Sequence, residues 1–239
     1  MTRIRPLDAG AHRDLRFDLL RGAAERRLAQ IGLSEIALAA ADMPLCLAKD
    51  GATGRFNLIA LMGLVEPANL FWQGGACVAT YVPRAAMLGG FRIDPAGWDG
   101  LAIDEDDAAF GSAGTPIFEG DALAASVAGA SEALARLVED IAVARSTVDA
   151  YAALRLIRPL RVTLTFRGGR EHLIDGLYTI AGAPLAALDD AAVLRLHRED
   201  RLALSAILAA SLAQVERLRQ LHNAAGFAPI DTIALSVAD

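Results

Sequence analysis

The sequence predicts an α+β protein, in which locally paired antiparallel hairpins pack against a C-terminal helical region. Two pairs of strand-like segments are separated by short turns at residues 49–54 and 167–170, so neighbouring strands pair without crossover helices. After residue 120, apolar residues recur at helical spacing. The 239 residues suffice for one domain, residues 1–239, with 1–120 and 121–239 as alternative subdomains.

The first hairpin is predicted from the residues that surround a glycine-containing turn. Pro44–Ala48 and Phe56–Met62 have the composition of strands, and Lys49–Gly54 has that of the turn between them. Upstream, Leu15–Leu19 indicates a short strand. Ser34–Asp42 predicts a short helix, because a serine side chain at its start can accept hydrogen bonds from the unpaired amides.

The middle of the chain predicts short elements. Asn69–Phe71 and Ala76–Thr80 favour strands joined through Gln73–Gly75. Pro83 suits the first turn of a helix, and we expect the two glycines that follow at 89 and 90 to end it. Gly100–Ile103 is a further predicted strand.

The second half predicts a helix, a hairpin and two more helices. The first helix is expected over residues 121–156, capped by Asp121, weakened near Gly129 and ended before Pro159. The predicted hairpin strands are Arg161–Phe166 and Glu171–Ile180, and the final helices are Asp189–Arg198 and Glu199–Ala225, with Gly226 as the C-cap.

Bulk composition excludes two classes of function. The chain is 54% apolar, yet no run approaches the roughly 20 residues of a membrane-spanning helix. Its net charge of −6 argues against nucleic-acid binding, which depends on a basic surface. Cys46 and Cys77 lack a disulfide-framework spacing, and the first eight residues lack the apolar core of a secretory signal, so we expect a cytoplasmic protein. An uncleaved C-terminal export signal would escape this test.

Aromatic residues, glycines and prolines concentrate between Pro67 and Glu105, where they predict a shaped surface. This surface is predicted to receive a partner protein or a small aromatic ligand; the alternative is that the same rings fill the core between subdomains. The two carboxylates beside the rings are the most promising acidic groups. The predicted binding residues are Trp72, Tyr81, Arg84, Phe91, Arg92, Trp98, Asp104 and Glu105.

No complete catalytic, metal or cofactor motif is present. The acidic run from Asp104 to Asp107 lacks the register of a calcium loop, and the four histidines lack metal-ligand spacing. Gly111–Gly114 lacks the register of a nucleophile elbow, and Arg167–Arg170 is more typical of a hairpin tip than of an anion site. Catalytic residues are therefore unknown, no metal or cofactor is predicted, and the question of enzymatic activity stays open.

Short sequence elements in a fixed order run from residue 35 to residue 212. They are Glu35 ahead of Met43-Pro44, Lys49-Asp50 ahead of Ala60-Leu-Met-Gly-Leu64, Asn69-Leu-Phe71, Tyr81-Val-Pro83, Gly90-Phe91, Ile103-Asp-Glu105, Ile117-Phe118 with Gly120, Gly176-Leu-Tyr-Thr-Ile180, and Leu202 with Ser211-Leu212. In this order the chain resembles the SapC family of bacterial proteins. It departs where the family has Asp-Glu, because Ala181-Gly182 stands there, and where a tryptophan is expected before Tyr81, unless Trp72 replaces it.

The resemblance implies a non-enzymatic accessory or interaction protein, with a role at the bacterial surface layer suggested by the family's name. The alternative is an enzyme that modifies a small molecule or peptide in a pocket near Trp72, Tyr81 and Asp104. The long apolar C-terminal helix and the negative charge are compatible with a homodimer.

Overall fold

The computed structural model describes residues 3–65 and 69–238, so Pro67 and Ala68 lie outside the described residues. The helices are α1 (Leu19–Ala24), α2 (Ile36–Ala40), α3 (Arg84–Met87), α4 (Ala130–Ala153), α5 (Gly182–Ala186), α6 (Asp190–Arg198), α7 (Arg201–Ser211) and α8 (Val215–Ala224). The strands are β1 (Ile4–Pro6), β2 (Arg16–Phe17), β3 (Leu28–Gln30), β4 (Leu45–Lys49), β5 (Phe56–Leu61), β6 (Trp72–Gln73), β7 (Ala76–Cys77), β8 (Phe91–Ile93), β9 (Leu101–Asp104), β10 (Phe110–Gly111), β11 (Thr115–Pro116), β12 (Phe118–Glu119), β13 (Ala122–Leu123), β14 (Ile157–Phe166), β15 (Glu171–Ile180) and β16 (Ile230–Val237). The fold is α+β, as predicted.

A six-stranded antiparallel sheet organises the larger core. Its strand order is β16-β14-β15-β4-β5-β3. Both predicted hairpins are present as β4–β5 and β14–β15. They join because β15 pairs with β4, with Leu177 opposite Ala48 and Tyr178 opposite Leu47. The sheet thus combines strands from either side of residue 120, and β3 and β16 form its two edges.

Helices cover the buried side chains of this sheet. Helix α7 packs against β15 and β4, α8 against β16, and α4 against β5. Tyr151 of α4 is fully buried, and its hydroxyl donates a hydrogen bond to the Arg201 carbonyl oxygen at the start of α7. Burial of this apolar surface is the main favourable contribution to the stability of the fold.

A smaller core lies beside the first and is built on the three-stranded sheet β1-β9-β8. The ring of Phe91 on β8 meets the rings of Phe17 and Phe110 edge to face, at centroid distances of 5.8 Å and 5.3 Å. Helix α4 connects the two cores, because Leu134 near its start packs into the smaller core and Tyr151 near its end packs into the larger one.

Helix α4 is shorter than predicted at both ends. It begins at Ala130, after Gly129 in the left-handed region at φ 89°, while residues 122 and 123 pair with 118 and 119 instead of forming its first turn. It ends at Ala153, and Pro159 belongs to strand β14. The prediction that Asp121 caps this helix is therefore wrong.

The C-terminal segment also differs from the prediction. The expected helix over 199–225 is divided into α7 and α8 by a 3₁₀ turn, Leu212–Gln214. Beyond Gly226, where no strand was predicted, β16 pairs along β14 from Val237 opposite Leu160 to Ile230 opposite Phe166. The alternation of the apolar residues Ile233, Leu235 and Val237 with smaller or polar residues is a strand pattern that the prediction did not use, and β14 supplies the hydrogen bonds.

Candidate functional site

A buried carboxylate connects helix α2 to the segment that leads into α3. Glu35 is 1% exposed. Its Oε1 accepts hydrogen bonds from the Tyr81 hydroxyl at 2.6 Å and from the Arg84 backbone N–H at 2.8 Å. Its Oε2 accepts from the Gly32 N–H at 2.9 Å and lies 3.3 Å from the Arg84 guanidinium. Every oxygen is occupied, so Glu35 acts as a structural clamp.

The same arginine carries the network to helix α4. The Arg84 guanidinium pairs with the Asp140 carboxylate and donates to the Ser34 Oγ at 3.0 Å. Asp140 also accepts from the Ser34 N–H at 3.0 Å. A Cβ on Gly32 would overlap this carboxylate, so glycine is the residue that allows helix α4 to approach so closely.

Burial and the neighbouring hydrogen bonds shift the pKa values of Tyr81 and Asp140 in this network. Burial, followed by the bond to the Glu35 carboxylate, raises the pKa of Tyr81 well above its usual value of 10.0. Tyr81 therefore remains a neutral donor. Burial alone would raise the pKa of Asp140, but bonds from Ser34 and Arg84 outweigh it and lower that pKa.

A second carboxylate, Asp42, anchors the opposite end of the same segment. It accepts from the Thr80 backbone N–H at 2.6 Å and from the Thr80 hydroxyl, and it pairs with the Arg217 guanidinium of α8. Arg217 also lies over the Phe71 ring, 5.4 Å from its centroid. Together, Asp42 and Glu35 fix residues 80–84 between α2 and α8.

The predicted carboxylates Asp104 and Glu105 end strand β9 and hold the N-terminal segment. Asp104 accepts from the Arg3 backbone N–H at 3.2 Å. Glu105 pairs with Arg3, and its Oε1 lies 3.1 Å from His12 Nε2. Burial would raise the pKa of Glu105, but the His12 bond and the charges of Arg3 and Arg5 lower it.

The predicted aromatic residues are distributed over several places. Tyr81 packs on the larger core, Phe91 is buried in the smaller core, and exposed Trp98 meets Phe118 edge to face. Trp72 is half-buried on the β6–β7 hairpin. Among the described residues, no ring contact joins Trp72, Tyr81 and Trp98 to one another.

Two of the predicted residues, Phe91 and Arg92, line an apolar groove of about 570 Å³ between the two cores. Its walls come from strand β3, helix α3, strand β8 and one face of helix α4. The apolar lining includes Leu28, Leu88, Ile93, Leu137, Val138 and Ile141. Three of these side chains are exposed: Leu28, Ile93 and Val138.

A polar cavity of about 660 Å³ adjoins the groove and shares Arg26, Gly89 and Arg92 with it. Asp104 lines this cavity, so the structure does bring Asp104 near Arg92. Beside them, Arg26 is paired with Asp107. The cavity therefore presents charges of both signs. Neither Trp72 nor Tyr81 lines this cavity.

The family model described as SapC matches residues 7–218 of the chain. The chain belongs to the SapC family. No curated protein and no solved structure matches it. The matched span contains the Glu35 clamp, Asp42, Arg217 and all the residues that line the groove. Two of the elements on which the sequence resemblance was based, Glu35 and Tyr81-Val-Pro83, are in direct contact through the 2.6 Å bond.

Sequence reasoning missed several residues of this ion-pair network. Ser34 contacts Asp140, and Asp42 contacts Arg217, across 106 and 175 residues of sequence, and no motif links the partners of either pair. The sequence around the exposed groove residues also gave little indication that they line a shared groove. Val138 was recognisable as part of an apolar stripe, although its position in that stripe did not show that it faces a groove.

The described residues, 3–65 and 69–238, show neither a metal-binding cluster nor a membrane-spanning helix. They contain no group of three or more His, Cys, Asp or Glu side chains arranged to hold a metal ion. In the same part of the chain, no helix has the length and apolar character needed to cross a membrane.

Proposed function

We propose that this SapC-family protein is a non-enzymatic accessory protein that binds an apolar segment of a protein partner in the groove beside Phe91. The observation that supports this is the convergence of Leu28, Ile93 and Val138, three exposed apolar side chains from three different elements, on one groove. Contiguous exposed apolar surface of this kind is typical of an interaction site. The bacterial origin and the surface-layer role implied by the family are part of the proposal.

The backbone of the groove favours an extended segment as the occupant. Strand β3 is one edge of the six-stranded sheet, and strand β8 is one edge of the three-stranded sheet, so within the described part of the chain each has one side without a partner strand. Both edges border the groove. A bound strand could add to the β3 edge through main-chain hydrogen bonds, while its side chains fill the apolar space. On β8, the Phe91 N–H already donates to the Leu88 carbonyl oxygen and the Phe91 carbonyl oxygen accepts from Arg92.

The charge at the groove favours an acidic group on the partner. Arg92 donates hydrogen bonds to the carbonyl oxygens of Gly89 and Phe91, and within residues 3–65 and 69–238 it has no carboxylate within ion-pair distance. A carboxylate on the bound segment would complete the pairing of this guanidinium, for which an Arg–carboxylate bond is well suited.

Selection of binding peptides from a random library, followed by fluorescence anisotropy on synthetic copies, tests this proposal. We expect apolar peptides that carry Asp or Glu. Val138→Asp should weaken their binding by at least about tenfold, because it places a charge in the apolar groove. Arg92→Gln should weaken acidic peptides more than neutral versions of the same peptides.

Val143→Asp is the matched control, since Val143 lies on the same helix, has the same 52% exposure as Val138, and is not part of the groove lining. Binding to this variant should equal binding to the wild type. Failure to select any peptide, or equal binding to Val138→Asp, would reject the proposed groove. Small aromatic compounds that bind there while peptides do not would assign the groove to a small ligand instead.

The polar cavity supports a second candidate, an enzyme or binding protein for a small charged molecule. Arg92 and Asp104 on its walls could orient a ligand that bears both a carboxylate and a cationic group. A thermal-shift screen of amino-acid-like compounds tests this candidate. A stabilising compound whose effect is lost in Asp104→Asn would support it, and a screen without any such compound would count against it.

A further inference from the structure

Strand β16 forms an open edge of the six-stranded sheet, at the end opposite to β3. It pairs with β14 on one side and meets helix α8 near its beginning, where the Asn223 side chain bonds to both backbone groups of Ile230. Beyond this point the strand is open to solvent. Ile233 is half-buried, and the other residues from 231 to 237 are exposed.

The hydrogen-bond pattern shows which backbone groups of β16 face outward. The Ala238 N–H donates to the Pro159 carbonyl oxygen at 3.1 Å. Because alternate residues of an antiparallel strand point to the same neighbour, residues 236 and 234 also face β14. The N–H and C=O groups of Ile233, Leu235 and Val237 therefore point away from the sheet.

This edge lacks the features that usually prevent strands from associating. Exposed edges are commonly protected by lysine, proline, a bulge or a short length. Strand β16 spans eight residues without lysine or proline, and its register shift lies near Ile230, away from the open part. Asp231 is its one charged residue and lies 3.7 Å from Arg167.

Exposed apolar side chains accompany the open backbone. Leu235 and Val237 lie opposite the buried residues Val162 and Leu160, so they are on the core face of the sheet, yet they remain exposed. An apolar cavity of about 500 Å³, lined in part by Ala181 and Pro184, extends from Val237. The apolar surface thus continues past the end of the strand.

We infer that β16 pairs antiparallel with β16 of a second copy of this chain across a two-fold axis, so that one sheet runs through the dimer. With the two-fold axis at Leu235, Leu235 of one copy lies opposite Leu235 of the other, and Ile233 of each copy lies opposite Val237 of the other. Three pairs of outward-facing residues then form about six hydrogen bonds, two for each pair. The alignment is self-complementary, because the apolar side chains of Ile233, Leu235 and Val237 meet those of the other copy.

Sedimentation of the full chain tests the inference through its mass in solution. We expect the wild type to have the mass of two chains. Leu235→Lys should raise the dimer dissociation constant at least about tenfold, because it removes a leucine that the dimer would bury and places two ammonium groups opposite each other. Leu194→Lys is the control, since Leu194 is 46% exposed on α6 and lines neither β16 nor the cavity beside Val237; this variant should remain dimeric.

Amide hydrogen exchange of the wild type tests the edge without any substitution. The amides of Ile233, Leu235 and Val237 should exchange slowly at concentrations where the dimer forms and quickly on dilution. A monomeric wild type, a Leu235→Lys variant that stays dimeric, or fast exchange of these three amides in the dimer would overturn the inference.

Discussion

The Tyr81 hydroxyl donates a 2.6 Å hydrogen bond to the carboxylate of Glu35, across 46 residues of sequence. This bond closes a junction in which the carboxylate meets two backbone N–H groups and the Arg84 guanidinium. The junction positions α3, which supplies Ala85 to the apolar groove and is followed directly by Leu88 of the same groove. The stability of the clamp and the shape of the groove are therefore connected.

Glu35→Gln should lower the free energy of unfolding by about 2 to 3 kcal/mol, because an amide NH₂ replaces an acceptor that is surrounded by donors. Tyr81→Phe removes one of these bonds and should cost about 1 to 2 kcal/mol. Urea denaturation at neutral pH measures both. The exposed Glu139→Gln variant is the control and should stay within about 0.5 kcal/mol of the wild type. A Glu35→Gln protein as stable as this control would show that the clamp does not stabilise the fold.

Gly32→Ala should destabilise the protein by about 1 to 3 kcal/mol, because its methyl group would displace the Asp140 carboxylate from Ser34 and Arg84. The backbone of Gly32, at φ −80°, is accessible to alanine, so the effect would come from the contact itself. Gly51→Ala is the matched control, since a Cβ there meets nothing within 4 Å. Thermal and urea unfolding measure the difference. Equal stability of the two variants would mean that α4 tolerates a shift at this contact.

The stability contributed by Asp42 should depend on pH in the acid range. Burial alone would raise its pKa, but the two bonds from Thr80 and the Arg217 guanidinium hold that pKa below the ordinary 3.8. A pKa lowered by folding gives stability that is present above 3.8 and lost as the pH falls through the lower value of the folded state.

The measurement is the free energy of unfolding of the wild type and of Asp42→Asn, from pH 7 down to about 2.5. The advantage of the wild type should be constant near neutral pH and should shrink below 3.8. The exposed Asp175→Asn variant provides the comparison and should follow the wild type throughout. A difference between wild type and Asp42→Asn that stays the same at every pH would contradict the assigned ion pair.

Elements with local sequence signals were predicted well. The β4–β5 and β14–β15 hairpins surround turns of small and polar residues, and helix α6 begins after Asp189, whose side chain accepts from the Ala192 N–H at 2.7 Å. Helix α3 follows Pro83, as predicted. In each case a few adjacent residues determine the backbone path, so the signal lies within the segment itself.

Elements that depend on distant partners were missed. Strands β3 and β8 have three residues each, and they exist because β5 and β9 supply their hydrogen bonds. The start of α4 was misplaced because the pairing of Ala122–Leu123 with Phe118–Glu119 competes with helix formation, and Gly129 provides the sharp change in direction.

In the site, too, the sequence indicated individual residues, whereas their contacts were seen only in the structure. The resemblance identified Glu35 and Tyr81 as elements of a family pattern, and the family is now established. Their contact, however, could not be read from separate segments, nor could the contribution of Asp140 from α4. The distribution of Trp72, Tyr81 and Trp98 over different places also depends on how the two cores pack.

By itself, then, the sequence determined the α+β class, the two hairpins, several helix boundaries and membership of the SapC family. Turn residues, caps and apolar spacing act over a few positions, and these features follow from them. The tertiary structure alone decided that Glu35 meets Tyr81, that Leu28, Ile93 and Val138 share a groove, and that β16 forms an open edge. These relationships arise from pairing and burial between segments that are far apart in the chain. Such contacts close long loops, and the residues next to either segment do not indicate which distant segment it will meet.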